Sequence, residues 1–397
     1  MDCYIYGGIR SPIARRAGAL ATVRPDDLLG MCIKAAVQNT GVPPEQIDDV
    51  IMGCTSQSGE DARNVARHAL LLAGLPVEVP GQTVNRLCGS GMQAVLSAAQ
   101  AASAQQGELF VAGGVESMTR APFVISKSET AFAREAKIFE ALGARFPNPR
   151  IMREFGSDAM PQTAENLASK LEITRLESDT FALASQEKYA KALRSGFYED
   201  EILPIEVMGA KSAVTVVAHD EHPRGNTTLE RLQALKPLYQ GGVVTAGNAS
   251  GVNDGAVSLV LGSRRVGEQF GVSPRVRVVA GAVSGLAPRI MGLGPVEASR
   301  KALERAGLTL AQMDIIELNE AFAVQVLACL KVLEIASDDE RLNMNGGAIA
   351  IGHPLGASGA RIVLTAMRQL ERTGGRYALA TMCIGLGQGI AVVLERM

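Results

Sequence analysis

The chain has 397 residues, with 39 Lys plus Arg against 41 Asp plus Glu and a formal net charge of −2. It carries no basic run and no aromatic-interleaved basic patch, which argues against a nucleic-acid or anionic-membrane partner. No stretch of about 18 apolar residues and no cleavable apolar leader stands out, so the expected compartment is the cytoplasm. At roughly 150 residues per domain the length predicts two or three domains. A hydrophobic content of 47% with 42 glycines and no tryptophan suits a tightly packed α/β enzyme.

In chain order, the apolar patterning predicts a strand over Tyr4–Ile9, a helix over about Asp26–Asn39, a strand over Val50–Cys54 and a helix over about Ala62–Ala73. A glycine-rich loop holding Cys88 follows, then a helix from about Gly89 to Gln106 and a strand over Leu109–Gly113. The same order returns later. Strand Val276–Ala282, a helix over about Val296–Ala306, strand Ile315–Asn319 and a helix over about Ala321–Leu333 lead to a glycine-rich loop with His353. A helix over about Ala357–Glu371 and strand Tyr377–Met382 complete the series. This duplication predicts two α/β halves with mainly parallel sheets, related by a pseudo-twofold axis. Residues 1–120, completed by about 248–272, make the first half and 273–397 the second. Between them, 121–247 is more charged and poorer in strands, and reads as an inserted loop or lid domain for substrate. It holds 15 Lys plus Arg against 17 Asp plus Glu, so any grip on a phosphorylated ligand must come from local placement. Because the ligand crevice of such sheets lies beyond the strand C-termini, the pseudo-twofold would bring the Cys88 and His353 helix starts together. Asn319 and Cys383 would stand at neighbouring strand ends.

Cys88, in Asn85-Arg86-Leu87-Cys88-Gly89-Ser90-Gly91, reads as a thiolate nucleophile. Free N–H groups at the start of the next helix would aim at its sulfur and lower its pKa. Taken alone, a small buried residue ahead of a core helix fits the position equally well. His353, in Gly352-His353-Pro354-Leu355-Gly356, holds the matching place in the second half, where a histidine taken alone would more often be structural. Cys383, in Thr381-Met382-Cys383-Ile384-Gly385, ends a strand, with an inert cysteine as the alternative. Asn319 could cap the helix that follows it. The other cysteines, Cys3, Cys32, Cys54 and Cys329, lack disulfide or zinc spacing, so reduced thiols are expected. Cys3, Cys32 and Cys329 read as core filler, and Cys54 approaches the site without doing chemistry. His219 and His222 are a close pair in a polar loop without further ligands, so no metal is expected. A dinucleotide fingerprint at Gly385-x-Gly387-x-Gly389 fails, because too little chain follows for a βαβ unit.

Together the Cys88 segment, Asn319-Glu320-Ala321-Phe322-Ala323, the segment Asn345–Arg361 and the Cys383 segment resemble the signatures of thiolases over essentially the whole chain. The resemblance implies a duplicated thiolase-type α/β fold with an inserted loop domain. It implies cleavage of a 3-ketoacyl-CoA by coenzyme A through an acyl-cysteine, reversible as a Claisen condensation. Coenzyme A would be a co-substrate, with no tightly bound cofactor, and the protein a homodimer or homotetramer. By this analogy His353 takes the Cys88 proton, Cys88 attacks, and Cys383 protonates the departing enolate. Backbone N–H groups of Cys88 and Gly385 would form one oxyanion pocket, and His353 with a water on Asn319 the other. For coenzyme A, Arg224 matches an adenine or phosphate contact, while Ala246, Gly247 and Ser250 match residues along the pantetheine. Met160 and Phe322 match residues beside the thioester. The plain alternatives are a solvated Arg224 and core roles for Met160 and Phe322.

One departure narrows the substrate. Ala159 stands where the biosynthetic branch of the family has a histidine. The segments Ser157–Asn166, Arg145–Pro149 and Gly59–Arg67 instead resemble the branch that cleaves 3-oxoadipyl-CoA to succinyl-CoA and acetyl-CoA in aromatic-compound catabolism. A distal carboxylate calls for a cation, and Arg145 and Arg150 are the candidates, with surface positions on the insert as the equal alternative. A general degradative 3-ketoacyl-CoA thiolase, an acetoacetyl-CoA thiolase, a ketoacyl-synthase-like condensing enzyme and a non-catalytic CoA- or lipid-binding relative are the alternatives. The second cysteine argues against the condensing enzyme, and retention of all four polar positions against the non-catalytic relative.

Overall fold

The computed structural model describes residues 1–128, 130–132, 135–209 and 213–397. Its main sheet is continuous. The order is Ile315–Leu318, Tyr377–Ile384, Gln388–Arg396, Val276–Gly285, Tyr4–Arg10, Asn253–Gly262, Leu109–Ser117, Asp49–Gly53 and Gly81–Val84, with the short Ala14–Arg15 strand beside Asn253–Gly262. Outward from the middle both halves repeat one series. Tyr4–Arg10, Asn253–Gly262, Leu109–Ser117 and Asp49–Gly53 correspond to Val276–Gly285, Gln388–Arg396, Tyr377–Ile384 and Ile315–Leu318. The halves meet where the two first strands pair antiparallel, Ile5 opposite Val276.

The duplication is therefore as predicted, but the sheet is mixed rather than mainly parallel. Antiparallel pairs join Leu109–Ser117 to Asn253–Gly262 and Tyr377–Ile384 to Gln388–Arg396. The second pair is a hairpin with a local cause. Leu386 and Gly387 both have positive φ, 62° and 79°, so the chain turns straight back instead of crossing over through a helix.

Helices Ser90–Ser103 and Leu355–Thr373 lie in a core lined by strands of both halves. Each half covers its other face with its own helices, Pro25–Thr40 and Val65–Leu72 in the first, Gly294–Ala306 and Ala323–Leu333 in the second. The two central helices approach backbone to backbone in their first turns. A Cβ on Gly91 would lie 2.6 Å from the Gly356 carbonyl oxygen and 2.9 Å from the Ala360 nitrogen, so only glycine fits. This contact draws the Cys88 and His353 loops to one place.

Between Ser117 and Asn253 the chain forms two small hairpins and the helices Met160–Leu171 and Arg175–Arg194, the latter opened by a Thr174–Glu177 capping box. A buried ion cluster ties this segment to the first strand. Arg10 donates through Nε to Glu201 at 2.6 Å and through both Nη atoms to Asp220 at 2.6 and 2.9 Å. All three charged side chains are fully buried. Replacing Arg10 by methionine should lower stability in urea by about 3–5 kcal/mol, because both carboxylates remain buried without their cation. A change below about 1 kcal/mol would mean that solvent reaches the cluster. Among the described residues no helix is long and apolar enough to cross a membrane.

Candidate active site

Cys88 sits on a strained turn, Leu87 having φ 46°, one residue ahead of the Gly89 N-cap. It is half-buried, whereas the other five cysteines are buried. The helix N–H groups do not face its sulfur as predicted. Those of Gly89 and Ser90 donate to the carbonyls of Arg86 and Leu87, at 3.0 Å each. The N–H groups near enough to favour the thiolate are those of Gly385 and of Cys88 itself. They do not offset burial, which pushes the thiol up to about 11. The Cys88 thiol therefore rests neutral, where the sequence reading expected a low-pKa thiolate.

His353 is buried, and its own backbone N–H donates to Asn253 Oδ1 at 2.9 Å. Ser358 donates its hydroxyl hydrogen to the Pro354 carbonyl at 3.0 Å, one turn back along the same helix. The His353 Nδ1–H then donates to Ser358 Oγ at 2.6 Å, and Nε2 is left as the basic nitrogen. Burial, with the Arg361 guanidinium adding to it, pushes His353 down to about 3. The imidazole is neutral throughout the physiological range.

Cys383 ends the strand Tyr377–Ile384 inside the core. Burial raises its thiol well above the ordinary value, and the Cys88 and Cys329 sulfurs lie within electrostatic reach to raise it further. Gly385 follows two residues on, and a Cβ there would point at Leu87 and at the Met160 sulfur, at 3.4 and 3.7 Å. Met160, 40% exposed at the start of its helix, therefore faces the Cys88–Gly385 gap. Asn319 is buried with neither Oδ1 nor Nδ2 hydrogen-bonded to protein. It does not cap the next helix, which begins at Ala323 with Phe322 as its N-cap.

Three supporting residues were not singled out from the sequence. Glu116, at the end of the strand Leu109–Ser117, accepts from the backbone of Thr55 and Ser56, from the Ser56 hydroxyl and from Gly356 N–H at 2.9 Å. It thereby fastens the His353 helix start to the first half. Glu320 accepts from Ser185, Asn343 and Ile349 N–H, pinning the loop that leads to His353. Asn253 holds the His353 backbone and donates to the Ala14 carbonyl at 3.0 Å. A lone acid after a glycine-rich strand, as in Gly113-Gly114-Val115-Glu116, is the signal that could have pointed to Glu116. Among the described residues the one group spaced to hold a metal is Cys54, Asp61 and Glu116, without His219 or His222. Those carboxylates are spent on protein donors, Asp61 on Ser58 and Gly59 N–H at 3.0 Å.

Of the coenzyme A candidates, Ser250 and Phe322 lie on paired segments. Asn248–Ser250 pairs with Ala321–Ala323, Ser250 N–H donating to Ala321 at 3.0 Å and Ala323 N–H to Asn248 at 2.9 Å. Phe322 is buried beside this pairing. Ala246 is exposed, and the bare side of Gly247 faces Leu232 and Leu235 rather than open space. Arg224 is exposed on the rim of a cavity of about 420 Å³ that Lys191, Arg194 and Thr227 also line. Arg150 has a partner of its own. It is 76% exposed and bonded to Glu154 at 2.7 Å, along its own helix Pro149–Phe155. Arg145 is half-buried and makes no hydrogen bond among the described residues.

A thiol can accept an acyl group and pass it on where the carbonyl oxygen meets fixed N–H donors, and this site offers that arrangement on a duplicated α/β fold. The class defined is a cysteine-dependent acyltransferase. Residues 3–265 match the family described as "Thiolase, N-terminal domain" and residues 272–396 "Thiolase, C-terminal domain". The chain belongs to the thiolase family and catalyses CoA-dependent cleavage of a 3-ketoacyl-CoA. It is 54% identical to the Escherichia coli K12 "3-oxoadipyl-CoA/3-oxo-5,6-dehydrosuberyl-CoA thiolase", over 100% of both chains. It resembles the crystal structure of the Bacillus anthracis acetyl-CoA acetyltransferase at 39% identity and a TM-score of 0.94, covering 100% of this chain and 99% of that one. It also resembles human mitochondrial 3-ketoacyl-CoA thiolase in complex with CoA, at 41% identity and a TM-score of 0.92, covering 100% and 98%.

Proposed function

We propose that this enzyme cleaves 3-oxoadipyl-CoA with coenzyme A to succinyl-CoA and acetyl-CoA, as a cytoplasmic homo-oligomer without a tightly bound cofactor. The observation that supports the mechanism is the packing of Gly385, two residues past Cys383, against Leu87 next to Cys88, which puts the Gly385 N–H near the Cys88 sulfur. The substrate choice is supported by the Escherichia coli relative, whose two named substrates both carry dicarboxylic acyl groups.

Attack on the ketone begins with a neutral pair. His353 Nε2 takes the Cys88 proton as the sulfur adds to the ketone carbon, so the two charges form only when substrate has excluded water. The tetrahedral oxyanion falls to the Cys88 and Gly385 N–H groups, each such donor supplying roughly 3 kcal/mol. The carbon–carbon bond then breaks, leaving succinyl on Cys88 and the acetyl-CoA enolate. His353, now protonated, and a water on Asn319 receive the enolate oxygen, and Cys383 delivers the proton to its carbon. The His353 proton then returns to the Cys383 thiolate, and a second coenzyme A, its thiol giving its proton to His353, takes the succinyl group as Cys88 leaves and recovers that proton. The cavity bounded by Lys191, Arg194 and Arg224 supports phosphate binding in a segment with no net positive charge.

Asn319→Ala should lower kcat by about 10²–10³-fold with little change in KM, the loss typical of one oxyanion donor. Because its amide has no protein partner, the melting temperature should hold or rise. A fall in stability with kcat intact would make Asn319 structural. The substrate is tested by kcat/KM for 3-oxoadipyl-CoA, 3-oxohexanoyl-CoA and acetoacetyl-CoA on one preparation. A preference of about tenfold or more for the dicarboxylic substrate, about 1.4 kcal/mol, is expected. A flat profile would assign a general degradative 3-ketoacyl-CoA thiolase instead.

A further inference from the structure

We infer that Arg289 is the residue that binds the distal carboxylate of a dicarboxylic acyl group, an inference that rests on the 3-oxoadipyl-CoA reading above. Arg289 lies in the Pro288–Leu293 turn, between the strand Val276–Gly285 and the helix Gly294–Ala306. Two sets of contacts bring this turn beside the Cys88–Gly385 gap. On one side it packs against the hairpin that carries Gly385. Leu286 N–H donates to the Gly387 carbonyl at 2.8 Å, and a Cβ on Gly387 would lie 2.9 Å from the Pro288 nitrogen. On the other side Arg289 Nε donates to Asp158 at 2.8 Å, two residues ahead of Met160, whose sulfur faces Gly385. Asn166 joins both partners, donating to the Asp158 carboxylate at 2.8 Å and to the Arg289 carbonyl at 2.9 Å. The guanidinium thus bridges the two walls that flank Gly385.

The way it is held leaves it available. Asp158 engages Nε alone, and among the described residues the terminal Nη atoms have no hydrogen-bond partner. A guanidinium tethered by Nε presents its Nη pair as a fork, the geometry that takes a carboxylate bidentately. The side chain is 61% exposed, so water and Asp158 both weaken its field, and a selectivity near tenfold is the scale to expect. The substrate chemistry matches this position. In 3-oxoadipyl-CoA the carboxylate is three carbon–carbon bonds beyond the ketone that Cys88 attacks, so its reader must border the acyl side. Arg150 is tethered in the same way, through Nε to Glu154, but among the described residues no hydrogen bond ties its helix Pro149–Phe155 to the hairpin that carries Gly385.

The test is kcat/KM for 3-oxoadipyl-CoA and for the neutral 3-oxohexanoyl-CoA, measured on the wild type, Arg289→Gln, Arg289→Lys and Arg145→Gln. Arg289→Gln should lose about tenfold on the dicarboxylic substrate, mainly in KM, and stay within about twofold on the neutral one, which also reports a folded site. Arg289→Lys should recover part of the loss, keeping charge without the fork. Equal losses on both substrates, an unchanged preference in Arg289→Gln, or a selective loss in Arg145→Gln would overturn the assignment. A wild type without any dicarboxylic preference would remove the 3-oxoadipyl-CoA reading itself, and the carboxylate site with it.

Discussion

Cys88→Ser is expected to abolish turnover, by roughly 10⁴–10⁶-fold, while leaving the fold intact. The reason lies in the neutral starting state. His353, held down to about 3, is a weak base, and it can accept a proton from a thiol only as the sulfur bonds to carbon and the N–H groups take up the oxyanion. A serine hydroxyl is far less acidic than a thiol and its oxygen far less nucleophilic, so the same imidazole cannot activate it. Mass spectrometry after mixing with 3-oxoadipyl-CoA should show a succinyl adduct on Cys88 in the wild type and none in the variant. The high thiol pKa has its own signature. Iodoacetamide labelling of Cys88 should keep rising with pH beyond 8.5 and level only towards 11, because burial, not the helix start, sets the titration. A plateau near pH 7 would instead mean that a thiolate pre-exists.

Cys383→Ala is expected to separate the two half-reactions. Breaking the carbon–carbon bond needs a proton for the enolate carbon, and loss of the acid should lower cleavage of 3-oxoadipyl-CoA by about 10²–10⁴-fold. Exchange of the succinyl group between coenzyme A and Cys88 makes no enolate and needs no such proton. Labelled coenzyme A should therefore exchange into succinyl-CoA within about threefold of the wild-type rate. Equal loss of cleavage and exchange would assign Cys383 to packing around Cys88 instead. The neighbouring Cys329 is not a substitute acid, since its sulfur donates to the Gly292 carbonyl at 3.0 Å.

Much of this was legible beforehand because local patterns carried it. Periodicity located the strands and helices of each half to within a few residues, and the order of elements exposed the duplication. The strands Asn253–Gly262 and Gln388–Arg396 were not resolved as separate elements, although each completes a half. Their reversed direction depends on where the chain returns after the insert and on the Leu386–Gly387 turn, neither of which periodicity encodes.

What the sequence determined by itself is the chemical inventory: two cysteines, a histidine and an asparagine, each at a glycine-rich loop or strand end of a repeated α/β unit. What only the tertiary structure decided is how these groups behave. Burial is a property of the assembled core, and it reversed the expected acidity of Cys88 and made His353 a neutral base. The backbone N–H groups of Gly89 and Ser90, free to judge by the sequence, are used by the turn itself, and those near the sulfur belong to Cys88 and to Gly385, nearly three hundred residues away. Arg289 followed the same rule. Nothing in its neighbours along the chain marks it, and its place beside the Gly385 hairpin arises because that hairpin and a helix start from the insert close on it from opposite sides.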